Sequence, residues 1–145
     1  MADPVAAQSY ANHSRIVPLY HYVAVPILAL NQLWALYVLF RDPGAATAMA
    51  VLTAFALLLV VYYTRIFPLT VQDRLIGVEE RERLARLAPE LAARAGELRR
   101  GQLVALRFAS DAELPALARR ALDEHLEPKA IKQAIQTWRP DRLRV

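Results

Sequence analysis

Two long apolar runs, residues 21–40 and 45–63, follow each other with only Arg41-Asp42-Pro43-Gly44 between them, and neither contains a charged side chain. Each run is close to the ~20 residues that a helix needs to cross a hydrocarbon core of about 30 Å. We therefore expect a two-span transmembrane helical hairpin over residues 16–66, with a turn at residues 41–44. In that turn Pro43 presets the backbone and Gly44 is expected to accept a positive φ.

The distribution of basic residues predicts the orientation of this hairpin. Only Arg15 and Arg41 precede residue 65, and Arg41 is followed directly by Asp42. Basic residues close to the spans favour the cytoplasmic side. Those that follow the second run within the relevant distance are Arg65, Arg74, Arg81 and Arg83. We expect both termini to be cytoplasmic and these arginines to attract anionic lipid headgroups.

Several residues inside the two runs are candidates for helix packing or for contacts with a partner. Pro26 predicts a kink in the first span, and Asn31 and Gln32 then lie near the middle of the bilayer, where buried amides need hydrogen-bonding partners. Trp34 lies deeper than an interfacial residue. The second run repeats small residues every four positions, at Ala46, Ala50 and Ala54. These residues are expected to pack the helices together, or to contact another subunit or line a polar path in an oligomer.

The residue types argue against most kinds of catalytic, metal-binding and cofactor-binding site. The chain has no cysteine, so disulfides, thiol catalysis and thiolate metal sites do not arise. We find no catalytic, metal-binding or phosphate-binding pattern. His21 is the only histidine beside the apolar runs, so one chain does not supply an intramembrane pair of haem ligands. We expect neither an enzyme nor a bound cofactor.

The remainder, residues 67–145, is predicted to be a cytoplasmic all-α domain of about four helices, after an N-terminal cytoplasmic segment at 1–15. Four helices are expected. The first two cover about residues 71–87 and 90–108, the third runs from the capping pattern at Ser110 to residue 127, and the fourth begins at residue 128. On the last helix, Ile131, Ile135 and Trp138 form an apolar stripe. This stripe either closes the tail on itself or docks a partner helix.

Charges in the tail are mixed rather than clustered. Acidic residues intersperse the basic ones after residue 110, which speaks against nucleic-acid binding. Opposite charges flank Phe108 and Trp138 and suggest an ion-paired latch between the third and fourth helices. Its predicted members are Arg107, Asp111, Glu113, Arg139 and Asp141.

Four segments together carry a resemblance to a known family. They are Asn12-His13 with residues 18–22, residues 65–69 with 72–74, residues 106–115, and residues 138–141. In these the chain resembles a family of small bacterial integral membrane proteins classed as a domain of unknown function. The resemblance covers nearly the whole chain. It implies two spans, a helical cytoplasmic tail and the bacterial cytoplasmic (inner) membrane, and it brings no activity and no site residues.

Two functions of different classes follow. The first is a non-enzymatic accessory, scaffold or interaction subunit, present as a homo-oligomer or in a larger membrane complex. The alternative is a small membrane-embedded transporter or enzyme subunit that acts as an oligomer through Asn31, Gln32 or His21. An oligomer is required because two spans alone do not enclose a pore.

Overall fold

The computed structural model describes residues 8–11 and 16–141, and in them every regular element is helical. The expected all-α class is thereby confirmed for this part of the chain. Most of the predicted N-terminal segment 1–15, with Arg15, lies outside the described residues. The elements are a π-helical turn at Leu19–Ala24, α1 at Val25–Arg41, α2 at Ala45–Leu87, a 3-10 segment at Pro89–Arg94, α3 at Arg100–Leu106, α4 at Leu114–Asp123 and α5 at Pro128–Ala134.

The chain forms two compact units. Residues 16–68 make the first, which contains the π-helical turn, α1 and the first part of α2. The second, called the tail unit here, runs from Leu69 to the end of the described chain and includes residues 8–11.

The first unit begins with a change of helix type at the predicted kink. The N–H of Val25 donates to the carbonyl of Tyr20, five residues back, and α1 starts at Val25. Pro26 therefore lies just after the junction of the two helix types, and its missing N–H leaves a gap in the backbone hydrogen bonds of this continuous helical stretch. The chain later returns to this turn, as shown by the hydroxyl of Tyr20, which donates to the carbonyl of Val61 at 2.6 Å.

The connection between α1 and α2 is closed by a side chain. The N–H of Gly44 donates to Oγ1 of Thr47 at 2.9 Å, and this hydroxyl donates to the carbonyl of Asp42. The expected positive φ at Gly44 is wrong, since no described glycine has one. The hydroxyl of Thr47 satisfies the helix start, so the turn does not need a left-handed residue.

Two helical stretches are long and apolar enough to cross a membrane. They are Leu19–Arg41, with 23 residues, and Ala45–Leu87, with 43 residues. The sequence predicted a second span and a separate helix from residue 71, but α2 is one helix that continues through Pro68. A proline inside a helix removes one hydrogen bond. Here the residues on both sides of Pro68 remain helical.

The tail unit has shorter helices than its periodicity predicts. Instead of one helix at 90–108, a 3-10 segment ends at Arg94 and α3 starts at Arg100. Gly96 lies in the break, where its low helix propensity favours a turn. The new start is stabilised by Gln102, whose Oε1 accepts the N–H of Arg99 at 2.8 Å.

The predicted last helix also ends early. α5 stops at Ala134, and Trp138 lies in an isolated antiparallel bridge with Ala109. The N–H of Arg139 donates to the carbonyl of Phe108 at 2.7 Å. Since these hydrogen bonds use the backbone that a longer helix would need, Trp138 is not a helical residue.

A single apolar core holds the tail unit together. Leu84 near the end of α2 and Ala88 directly after it pack with residues from every later helix. Phe108 is completely buried, and its ring centre lies 5.0 Å from that of Trp138. The other members are Leu91, Ala95, Leu98, Leu103, Ala105, Leu106, Ala109, Leu114, Leu117, Ala118, Ala121, Leu122, Ile131 and Ile135.

Candidate functional site

The amides of the first apolar run are not equivalent. Asn31 is exposed and lines an open depression with Leu30, Leu33, Trp34 and Tyr37, all on α1. The Oε1 atom of Gln32 is buried and has no hydrogen-bond partner among the described residues. Neither amide therefore contributes an interhelical hydrogen bond within the part of the chain that the structure describes. Their roles as partner contacts stay predictions.

The alanines at four-residue spacing also differ from one another. Ala54 is 2% exposed, whereas Ala46 and Ala50 are exposed. On α1 the buried small residue is Ala35. Small-residue packing within the first unit therefore centres on Ala35 and Ala54, and contacts at Ala46 and Ala50 require a molecule outside the chain.

His21 contacts its own helical turn. Its Nδ1 atom lies 3.1 Å from the backbone nitrogen of Val17 and 2.9 Å from the Val17 carbonyl oxygen, and its ring meets the edge of Tyr20. In the described ranges no three His, Asp or Glu side chains lie close enough together to hold a metal ion.

The apolar stripe of the last helix fills the core of its own unit. Ile131 is fully buried and Ile135 is 7% exposed, while Trp138 is partly buried against Phe108. These three side chains therefore close the tail on itself. A partner of the tail would have to bind a different surface.

The most constrained polar group in the tail unit is Arg83. Its side chain is 4% exposed, and its Nη1 donates to Oε2 of Glu80 at 3.0 Å. Nε and Nη2 both donate to Oδ1 of Asp111, and Nη2 also donates to the carbonyl of Ala109 at 2.8 Å. One guanidinium thus joins α2 to the segment between α3 and α4.

Glu80 and Arg83 were not predicted as site residues, because their sequence pattern is that of a solvated mixed-charge helix. The spacing of the apolar residues around these two charges did indicate their burial. Ile76, Leu84 and Leu87 lie on the same helical face as these two charges, and that face is the one that packs into the tail. Charges enclosed by apolar residues at helical spacing predict a buried pair.

The residues of the predicted latch are ion-paired, but not with each other alone. Nε of Arg107 lies 3.1 Å from Oδ2 of Asp141. Arg139, in contrast, faces Glu80 on α2 at 3.9 Å, as Asp111 faces Arg83. Glu113 accepts the backbone N–H groups of Gln136 and Thr137, each at 3.0 Å. The charges therefore fasten the end of the tail both to α2 and to the start of α4.

Glu80, Arg107, Arg139 and Asp141 of this network line a cleft of about 380 Å³ in the tail unit. Its polar lining is rich in hydrogen-bond acceptors, including Oε1 of Gln72, which is buried and has no hydrogen-bond partner among the described residues. Small-molecule pockets have similar volumes. The lining residues are Gln72, Leu75, Ile76, Glu79, Glu80, Arg107, Arg139, Pro140 and Asp141. Because the arginines and carboxylates in this set pair with one another, the charges serve first to hold the tail closed.

Two carboxyl groups of the network have shifted pKa values in opposite directions. Burial raises the pKa of Glu80, although the positive charges of Arg83 and Arg139 act against the shift. Hydrogen bonds from Arg83 lower the pKa of Asp111, which lies at the exposed side of the network. A buried carboxylate and an exposed one thus share a single guanidinium.

The raised pKa of Glu80 predicts that its contribution to stability falls as the pH rises. The folded state holds the Glu80 proton more tightly than the unfolded state, so the contribution is complete below the ordinary pKa of 4.5. It is lost as the pH rises toward the raised folded pKa. Subtracting the free energy of unfolding of Glu80→Gln from that of the parent chain should therefore give a difference that declines with pH above about 4.5. Denaturant titrations at several pH values measure this.

The exposed neighbour supplies the control for this measurement. Glu79→Gln removes only the smallest cause that raises the pKa of Glu80, so the parent chain minus this variant should show a smaller decline than the parent chain minus Glu80→Gln. Asp111 contributes the opposite slope, because its stabilisation is lost as the pH falls below its ordinary value. A difference for Glu80→Gln that rises with pH would contradict the assignment of burial as the dominant cause.

Comparison with known proteins gives one match. A family described as "Family of unknown function (DUF6526)" matches residues 5–145. No curated protein and no solved structure matches the chain.

Proposed function

Because the chain belongs to DUF6526, a family of unknown function, its role has to follow from its own residues, and we propose that it is a non-enzymatic integral membrane protein. In this proposal a two-span hairpin anchors the chain in a bacterial cytoplasmic membrane, with both termini in the cytoplasm. The tail unit then acts as an accessory, scaffold or interaction module of a homo-oligomer or a larger membrane complex.

The exposed apolar surface of the two long helices carries the proposal. In the most apolar 18-residue windows of Leu19–Arg41 and Ala45–Leu87, only 6% of the residues are buried. Contiguous apolar surface of this extent is rare on water-soluble monomers. Lipid hydrocarbon would cover it, and the helices satisfy their own backbone hydrogen bonds, as that environment requires.

The charges support the orientation. Arg41 is the single basic residue of the short connection and is followed by Asp42, whereas basic residues recur from Arg65 onward. Topology follows the basic residues near the spans. The connection would therefore face the outside of the cell, and the tail unit the cytoplasm.

The ion pairs of the tail cleft support an interaction role over a catalytic one. Arg83 and Arg107 are both buried, and each faces a carboxylate within the same unit. Charged side chains that are held in such ion pairs fix the shape of a protein surface. A partner would meet a preformed tail rather than one that folds on binding, since the tail already has its own core.

Single cysteines test the anchor and its orientation, because the chain contains none of its own. Gly44→Cys is suited to the connection, since an added Cβ would have Oγ1 of Thr47 as its neighbour at 3.8 Å. Lys129→Cys marks the exposed side of the tail unit. In intact spheroplasts, a membrane-impermeant maleimide should label the Gly44→Cys chain, and it should label the Lys129→Cys chain only after lysis.

The same preparations include the control for membrane insertion. Both variants should stay in the membrane pellet after alkaline carbonate extraction, as integral proteins do. Release of the chain by carbonate would overturn the anchor, and labelling of Lys129→Cys in intact cells would overturn the orientation. Affinity purification through a tag after Val145 then separates a partner-bound subunit from a homo-oligomer.

A second candidate function rests on the polar groups of α1. Oε1 of Gln32 is buried without a partner, and exposed Asn31 lies in an otherwise apolar depression. Such groups in a membrane helix usually mark a contact or a path for a polar substrate. A transporter or enzyme subunit would form an oligomer that Asn31→Leu and Gln32→Leu disrupt, and Ile27→Leu, at an exposed residue outside this depression, serves as the matched control.

A further inference from the structure

The part of α2 that lies in the tail unit has two contrasting faces. The inner face is buried in the tail, and it includes Ile76, Glu80, Arg83 and Leu84. The opposite face carries an apolar row that is mostly exposed, with Leu75 also bordering the tail cleft. Its side chains are Val71, Leu75 and Val78, which are 65%, 57% and 61% exposed.

The spacing of this row is that of a coiled-coil seam. Intervals of four and three residues place Leu75 at position a of a heptad and Val71 and Val78 at position d. From Arg74 to Arg86, every residue at positions a, d, e and g is exposed, and every residue at b, c and f is buried. Leu87, at the next position f, is partly buried. The tail thus occupies the face that a coiled coil normally leaves to water, and the seam stays open.

We propose that this seam binds the same segment of a second copy of the chain, side by side and parallel. The parallel direction rests on the proposed function, because two copies anchored in one membrane send their α2 helices into the cytoplasm the same way. The contact is then isologous about a two-fold axis, as in most homodimers.

The charges beside the apolar row complement each other in this arrangement, whereas the next such pair along the helix, Arg81 and Arg86, carries like charges. In parallel coiled coils, position g of one helix faces position e of the next heptad in its partner. Here these positions are Arg74 and Glu79. The dimer therefore gains two opposite-charge pairs, Arg74 of each copy with Glu79 of the other. An antiparallel pairing would not place these two residues opposite each other.

The same charges speak against lipid as the occupant of the seam. Asp73 and Arg74 lie within the segment that carries the apolar row, and Glu79 and Glu82 follow directly after it. Ionised side chains at this density are costly in hydrocarbon. An aqueous partner with an identical apolar row and complementary flanks satisfies both parts of the surface.

The seam is short for a coiled coil, and anchoring in the membrane offsets the low stability of such a short pairing. Stable isolated coiled coils need apolar positions over about three to four heptads, whereas here Glu82 occupies the next position a after Val78. Confinement of both copies to one membrane raises their effective concentration. Replacing the two facing acids by Glu82→Leu should therefore strengthen the dimer.

Disulfide cross-linking of the full chain in native membrane vesicles tests the proposal. Leu75→Cys and Val78→Cys place a thiol in the seam, and exposed Lys129→Cys is the control away from it. Under mild oxidation both seam variants should form a covalent dimer at least five-fold more than the control. Adding Glu82→Leu to the Leu75→Cys chain should raise the dimer yield further.

Charge exchange tests the parallel register. In the Leu75→Cys background, Arg74→Glu should reduce cross-linking, and Arg74→Glu combined with Glu79→Arg should restore it. Equal cross-linking of seam and control variants, or a failure of the exchange to restore it, would overturn the dimer. The carbonate extraction of the same vesicles separates the two proposals, since a chain that stays inserted but does not cross-link refutes the dimer alone.

Discussion

Replacing Arg83 with methionine should lower the free energy of unfolding of the tail unit by about 3–5 kcal/mol, the cost of removing one partner of a buried ion pair. The substitution leaves Glu80 buried without its nearest positive charge. It also removes the donor to the carbonyl of Ala109, which is buried. Because Arg83 joins α2 to the segment between α3 and α4, both sides of the junction lose their connection.

Trp138 can report this loss in the full-length protein. The chain has two tryptophans, so a Trp34→Phe background leaves Trp138 as the single indole. Its emission should change when the contact with Phe108 is lost in urea. The matched control is Arg86→Met, an exposed arginine three residues further along α2, which should change stability by less than about 0.5 kcal/mol.

A double substitution distinguishes the buried charge from simple packing. Glu80→Leu combined with Arg83→Met removes both ions, and apolar replacement of a whole buried pair is often close to neutral. We expect the double variant to lose less stability than Arg83→Met alone. A double variant that loses the sum of the two single effects would contradict the direct coupling.

Phe108→Ala should destabilise the tail unit by about 3–5 kcal/mol, the usual cost of truncating a buried phenylalanine. Phe108 is fully buried, and its ring meets Trp138 on one side. The guanidinium carbon of Arg107 lies 4.5 Å from the ring centre and the ammonium of Lys132 lies 5.8 Å from it. The cavity left by the ring should therefore loosen the packing of the core, and both cations lose their contact with the ring.

The same urea titration, followed through Trp138, measures this effect as a shift of the midpoint. Phe67→Ala is the matched control, because Phe67 is 63% exposed and lies outside the tail unit. The control should leave the midpoint of the tail unit unchanged. A loss below about 1.5 kcal/mol for Phe108→Ala would mean that the core repacks around the missing ring.

Helix boundaries in the tail could be predicted only where local signals agree. The start of the last helix was expected at Pro128, where α5 does begin, because proline favours the first turn. Its end was not predictable, since Trp138 has the right spacing for the stripe. The backbone of Phe108, 30 positions away, competes for the hydrogen bonds there, and no local pattern contains that information.

The candidate site, too, could be predicted from the sequence only in part. The latch residues were predicted from opposite charges near Phe108 and Trp138. All of them except Glu113, which accepts two backbone N–H groups, make ion pairs. Their partners Glu80 and Arg83 were overlooked, because alternating charges on a helix usually face water. Burial of these two side chains follows only when the later helices pack against α2.

The sequence by itself determined the class of the protein: two uninterrupted apolar stretches, a mixed-charge remainder with helical periodicity, and no cysteine chemistry. These properties follow from composition and spacing, which act within about 20 residues. The tertiary structure alone decided that α2 continues as one helix past Pro68, that the last stripe closes the tail on itself, and that Arg83 is buried while the row at Val71 is open. The burial of Arg83 and the exposure of the row at Val71 depend on which face of α2 the later helices cover, and contacts between distant segments set that choice.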